Sequence, residues 1–217
     1  NSNYEEWHAA NPDKNFLDFN FSPKKMSPSG ALYDLEKLNN ISKNYISKMT
    51  KDEVYTNLVN WSKEYDKEFN NLLVKYEDYT KNVLNIEREQ KKPRKDYSCY
   101  SDIKNQIFYM YDELYNPTSY EWGKIDDKNE IIKILKTYME KYFNITDKEA
   151  WFNNIKDMTD ELGYCSNMKE YKENPDKYKG SVADISTVIR VALTTKSMTP
   201  DLYEIMRLLG KDRIKER

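Results

Sequence analysis

Apolar residues recur three and four places apart over most of this chain, and that spacing constrains the fold more than any other feature. Val54, Leu58 and Trp61 form one stripe; Phe69, Leu72, Leu73 and Tyr76 form a second; Val182, Ile185, Val188, Ile189, Ala192 and Leu193 form a third. A period of about 3.6 residues places such positions on one face of a helix. The pattern predicts helices over 34–48, 51–65, 67–85, 101–114, 127–143, 147–162 and 181–193, and from 200 onward. Only five Gly and seven Pro are available, too few for a turn-dense β-sandwich. Strict alternation and internal repeats are both missing, so the fold class is all-α.

Capping chemistry sets several boundaries. Thr50-Lys51-Asp52-Glu53 and Thr146-Asp147-Lys148-Glu149 read as capping boxes, and Gly163 and Gly210 as stops. Ser101 reads as the cap of the 101–114 helix, and Thr199-Pro200 as an N-cap followed by proline at the first helical position. Leu35, Leu38, Ile41, Tyr45 and Ile46 form the stripe of the 34–48 helix. Residues 1–30 are loop-like, with turn signals at Asn11-Pro12-Asp13, Pro23, Pro28 and Ser29-Gly30, and 164–180 is a loop. Asn116-Pro117 marks a division between two helical parts. Arg190 falls off the stripe of its helix, towards solvent.

Net charge is −2, so bulk electrostatics predicts neither a nucleic acid nor a membrane as partner. Local charge differs. Arginine occurs only at Arg88, Arg94, Arg190, Arg207, Arg213 and Arg217, against a background rich in Lys, Asn and Tyr. Two confined groups of Arg have two readings: places where a planar fork of donors does what an ammonium cannot, or chance among six residues. Two cysteines and one histidine make no metal set and no disulfide framework. With no long apolar run or signal-like start, the chain reads as soluble and cytoplasmic. It begins at Asn1 rather than Met, and is expected to be a fragment.

Catalytic constellations fail in turn. There is no Gly-rich phosphate loop, no His positioned to activate Ser or Cys, and no carboxylate pair that stands out. Lys25-Met26-Ser27-Pro28-Ser29 is close to the Lys-Met-Ser-Lys-Ser signature of class I aminoacyl-tRNA synthetases, but Pro28 replaces the lysine that would stabilise phosphate charge. It reads as a loop before a helix. No catalytic residue is expected in these 217 residues.

Two basic stretches remain. Residues 88–95 carry five basic side chains in eight, and on charge alone this is a solvated connection between helices. In the functional alternative, Arg94 behind the stiffening Pro93, with Tyr97 and Tyr100 downstream, suits an unstacked RNA base. Residues 186–217 hold seven basic and four acidic residues, enough to attract phosphates without being diagnostic.

The tail decides between these alternatives. Ile189-Arg190-Val191-Ala192-Leu193-Thr194-Thr195, then Thr199-Pro200-Asp201-Leu202-Tyr203-Glu204 through Leu208-Leu209-Gly210-Lys211-Asp212-Arg213, resembles the end of bacterial glutamyl-tRNA synthetases. There the pattern runs R-x-A-L-T-G, a short spacer, then T/S-P-x-L-x-E-x-x-x-L-L-G-K-E-R. Upstream, Ser29-Gly30-Ala31-Leu32-Tyr33-Asp34-Leu35-Glu36-Lys37-Leu38 resembles the S-x-A-x-F-D-x-x-K-L segment of the same family, and Asn44-Tyr45-Ile46 resembles the helix that follows it. The resemblance implies the C-terminal portion of such an enzyme. Residues 1–48 would end the partly irregular stem-contact region, and 49–117 and 118–217 would be two helical anticodon-binding sub-domains.

Residue by residue, the resemblance implies anticodon contacts. Lys92-Pro93-Arg94-Lys95-Asp96 matches an R/K-P-R-x-D motif whose arginine reads the third anticodon base, cytosine in glutamate tRNAs and guanine in glutamine tRNAs. Arg94 is therefore the candidate reader, and an arginine here is what glutamate-restricted members carry. Arg190, Thr199, Pro200 and Leu202 match the residues that hold the first two anticodon bases at a helix N-terminus. Thr195 departs from the family's glycine. The implied partner is tRNA(Glu), with no DNA and no membrane. ATP and Mg would serve the parent enzyme and no cofactor this portion. The alternative from another class is a helical protein-interaction or structural domain with no RNA role.

Overall fold

The computed structural model describes residues 3–26 and 34–217 and divides into two compact units, Asn1–Asn39 and Asn40–Arg217. Ser27, Pro28 and Ser29 of the signature-like loop, and Ser29 to Tyr33 of the upstream resemblance, lie outside the described residues. Among those described there are eleven α-helices and one isolated parallel bridge, Cys165 with Ser181, but no strand. The chain is all-α.

In the first unit, the expected loop contains a short helix, α1 (Tyr4–Ala10), and two single 3-10 turns. Phe19 explains the helix. Its ring meets Tyr4 edge-on at 5.2 Å and Trp7 at 5.4 Å, so aromatic contact organises a segment whose turn residues alone predict irregularity. The next helix, α2, covers Leu35–Lys48 as expected. Its apolar stripe is not covered: Leu35, Leu38, Ile41 and Tyr45 are 45–68% exposed, and only the last turn, at Ile46 and Ser47, is buried.

The second unit has one continuous core running from Ile46 to Ile214. The division expected at residue 117 falls inside it. Thr50 opens α3 (Lys51–Tyr65) with the reciprocal capping box its spacing predicts, Thr50 Oγ1 accepting from Glu53 N while Glu53 accepts from Thr50 N. The expected 67–85 helix is two, α4 (Lys67–Lys75) and α5 (Glu77–Leu84), because Tyr76 leaves the helical region at φ −118°, ψ 42°. The break lets Phe69, Leu72 and Leu73 on one segment and Thr80, Val83 and Leu84 on the next all face the core.

Other helices are shorter than periodicity implies. The cap of α6 (Tyr100–Ile107) is Cys99, not Ser101, and the helix gives way to a 3-10 turn at Phe108. Tyr109, Met110 and Tyr111 are all buried, and three consecutive buried residues leave no room for a solvent face. After α7 (Lys128–Thr137) comes a π-helical turn, Tyr138–Tyr142, which buries Tyr138 where its hydroxyl accepts from Trp151 Nε1 at 3.0 Å. The cap of α8 (Lys148–Glu161) is Asp147, which accepts from Ala150 N; Thr146 is occupied with Asn144. Loop 164–180 holds a short α9 (Met168–Glu173). Helix α10 (Val182–Thr194) begins at Ser181, and α11 (Leu202–Glu216) breaks at Gly210, φ 77°. Since α11 packs on both α5 and the 108–110 turn, the front and back of the sequence meet beside the 85–96 loop.

Candidate functional site

The 85–96 loop is built before any ligand is considered. After α5, Glu87 turns the chain in the left-handed region, φ 55°. Three consecutive side chains then anchor it to different elements. Glu87 Oε2 accepts from Asp201 N at 3.1 Å. Arg88, only 6% exposed, donates Nε to Leu84 O and Nη1 to Ile46 O, both at 2.8 Å, and Nη1 also to Met49 O at 3.4 Å. Glu89 accepts from Lys51 N at 3.1 Å, at the start of α3. Arg88 therefore satisfies terminal carbonyls of α2 and α5, the groups a helix end leaves orphaned. Its fork is needed, but for protein carbonyls.

Arg94 sits at the other end of this loop, one third exposed. Asp96 takes Arg94 Nε on both carboxylate oxygens at 2.8 and 2.7 Å, and Glu87 Oε2 lies 3.8 Å from Nη1. The Arg94 backbone N–H donates to Glu87 O at 2.9 Å. The guanidinium is thus oriented in the free protein, with its Nη2 edge outside these contacts. Of the aromatic partners expected downstream, Tyr97 is not presented to solvent. Tyr97 is 8% exposed beneath the Arg88 guanidinium, and burial pushes its hydroxyl up to about 12. Tyr100 is half-buried, its hydroxyl directed at Met49 Sδ.

Arg190 is half-buried rather than turned to solvent, a correction to its helical-wheel placement. Its Nη1 donates to Pro200 O at 2.8 Å, to Thr199 Oγ1, and weakly to Thr199 O at 3.4 Å. The chain doubles back after Thr195, which brings the turn at 199–200 over this face of α10. Thr195 supplies the left-handed residue itself, φ 65°, despite its branched Cβ, and its carbonyl accepts from Glu121 N at 3.0 Å. Burial lowers the Arg190 guanidinium from its ordinary value; Tyr109 and Asp201 oppose that, and Arg94 is close enough to add to it.

The expected cap of α11 moves by two residues. Asp201, not Thr199, is the N-cap, its Oδ1 accepting from Glu204 N at 3.0 Å, because the Thr199 hydroxyl is engaged with Arg190 and Pro200 O. Lys148 Nζ meets Asp201 Oδ2 at 2.6 Å. Leu202 is 4% exposed and Thr199 8%, so of the four tail residues implied as contacts only Arg190 and Pro200 keep appreciable surface.

Sequence candidates far apart in the chain are therefore brought together. The Glu87–Asp201 hydrogen bond joins the Arg94 loop to the 199–202 turn, and Arg190 reaches the same turn from α10. Glu87, Asp96, Asp201 and Lys148 were not singled out from the sequence. Asp201-x-x-Glu204 is a capping pattern that could have been read, as could Asp96 within its motif. Nothing local marks Glu87 or Lys148.

Two further arginines of the basic tail are bound to the protein itself. Arg217, with a 5% exposed side chain, donates Nη1 to Tyr109 O and Leu193 O, and Arg213 Nη1 reaches Tyr79 Oη and Met110 O. Arg207 lies mainly in solvent, paired with Glu204, and Lys211 and Lys215 are exposed as well. Among the described residues no set of three or more His, Cys, Asp or Glu has the placement to hold a metal ion, and no helix is long and apolar enough to cross a membrane.

The chain's sequence matches a known family over most of this helical unit. The model described as "Anticodon binding domain" covers residues 68–217, and the chain belongs to that family. The protein-interaction alternative has no support beside it. The curated relatives it matches are glutamate–tRNA ligases. It is 43% identical over 220 residues to that of Clostridium perfringens (strain 13), 45% over 217 to that of Acetivibrio thermocellus and 35% over 218 to that of Sorangium cellulosum. Each match takes in 100% of this chain but only 38–40% of the relative, at its C-terminal portion.

Proposed function

We propose that this chain is the anticodon-reading C-terminal portion of a cytoplasmic glutamate–tRNA ligase and that its partner is tRNA(Glu). The observation that supports this reading is the Glu87–Asp201 hydrogen bond, which joins the Arg94 loop to the turn pinned by Arg190. Cytosine at the third anticodon position offers O2 and N3 as adjacent acceptors, and the Nη2 edge of Arg94 supplies donors. Guanine places a donor where N3 would be. A good bidentate base contact is worth roughly 1–3 kcal/mol of discrimination, or about 5- to 150-fold. Arg190 and Pro200, at the start of α11, would meet the first two bases, with Thr199 and Leu202 holding that surface from beneath. In the whole ligase, ATP and Mg would activate glutamate in the portion this chain lacks, so the chain alone transfers no glutamate. DNA and membranes are not partners in this proposal.

The test is binding of fluorescent anticodon stem-loop RNAs, read by anisotropy at fixed salt. The chain should prefer cytosine over guanine at the third anticodon position, and Arg94→Ala should narrow that preference by about fivefold or more. Equal affinity for both RNAs in the parent chain would remove the proposed base reading.

A further inference from the structure

Glu87 takes a backbone conformation that residues with a Cβ seldom adopt, φ 55°. Its contacts show what the conformation achieves. The Glu87 carbonyl accepts Arg94 N–H at 2.9 Å, setting the start of the Arg94 arm. Its Oε2 accepts Asp201 N–H at 3.1 Å, and the same oxygen lies 3.8 Å from Arg94 Nη1. One residue thus holds the reading arginine by its backbone, faces its guanidinium, and ties both to the turn before α11.

We infer that Glu87 is a positioning residue for base choice at the third anticodon position: it limits the rotation of the Arg94 fork without touching the base. The inference rests on the anticodon-reading function proposed above. A guanidinium free to turn is a poor discriminator, because guanine also offers an acceptor pair, O6 and N7, that suits arginine. Discrimination therefore requires that the direction of the donors be restricted. Asp96 fixes the Nε corner, yet a single carboxylate leaves the rest of the arm free to swing. Glu87, drawing on Nη1 from a second side, removes that freedom. The bond to Asp201 keeps Glu87 itself from following the arginine.

The experiment titrates the parent chain, Glu87→Gly and Glu87→Gln against anticodon stem-loops carrying cytosine or guanine at the third position. Glycine adopts φ near +55° without steric cost, so the turn persists while the carboxylate is lost. Glutamine keeps an acceptor for Asp201 N–H but no charge towards Arg94. The parent should prefer cytosine; Glu87→Gly should shrink the ratio of affinities by about fivefold or more, mainly by admitting guanine, and Glu87→Gln by less. An unchanged ratio in a Glu87→Gly chain with native circular dichroism overturns the inference, as does an equal loss for both RNAs. If Glu87→Gly does not fold, an unchanged ratio in Glu87→Gln overturns it instead. A parent chain that binds neither stem-loop overturns the proposed function, and this inference with it.

Discussion

Replacing Arg88 by alanine separates a structural arginine from an RNA contact in the same short loop. The side chain is 6% exposed and makes two hydrogen bonds of 2.8 Å and one of 3.4 Å to backbone carbonyls of Leu84, Ile46 and Met49. Hydrogen bonds from a charged donor contribute roughly 1.5–3 kcal/mol each, and removing the donor leaves buried acceptors unsatisfied. Counting the two short bonds, and discounting for the burial that already lowers this guanidinium, gives a loss of about 3–5 kcal/mol. For a unit of this size each kcal/mol shifts the melting temperature by roughly 2–4 °C, so Arg88→Ala should melt about 6–20 °C lower. Arg88→Lys, with one donor group in place of a fork, should recover about half of that. Differential scanning calorimetry gives the shift, and urea titration gives the free energy independently. RNA binding measured well below the melting transition should keep its cytosine preference. A variant that melts within about 1 °C of the parent but binds RNA more weakly would refute the structural assignment and make Arg88 a surface contact.

Arg190→Ala should weaken stem-loop binding and also lower stability by about 1–2 kcal/mol, because the 199–200 turn loses the donor that pins it; unchanged thermal melting alongside weak binding would show that the turn holds itself. Thr195→Gly should raise stability by about 1 kcal/mol, since a left-handed residue with a Cβ costs roughly 1–2 kcal/mol and the greater unfolded-state freedom of glycine takes back part of that; a lower melting temperature would refute it. Acid should destabilise the fold between about pH 4 and pH 2. Asp66 and Asp102 sit below their ordinary values although burial, the largest single influence on each, pushes them up; hydrogen bonds from Lys104 and Phe69 N–H on the first, and from Ser98 and Cys99 on the second, outweigh it. The hydroxyl of Tyr76 leads the causes that hold Glu113 at about 2. Depressed carboxyl groups contribute stability above the unfolded value near 4 and lose it as pH falls through the folded one, so melting temperatures flat down to pH 2.5 would contradict the assignment.

The all-α class, the Thr50 capping box, the stop at Gly163 and the break at Gly210 were all legible in the sequence. So was the family, from the order of residues between Arg190 and Arg213. These features share a cause: helical period, caps and glycine stops depend on neighbours within about four positions, and the sequence displays those neighbours directly. What the sequence misplaced depends on distant partners. Whether the α2 stripe is covered, whether Tyr97 is a stacking surface or core, and whether Thr199 or Asp201 caps α11 are each decided by what packs or bonds there. The six arginines make the same point. Their planar fork signalled a demand that lysine cannot meet, but only the tertiary structure assigned Arg88, Arg213 and Arg217 to protein carbonyls and left Arg94 one third exposed. Glu87 is the extreme case. Its partner Asp201 is 114 positions away, beyond the reach of any local pattern, and only the packing of α11 against α5 brings the two together.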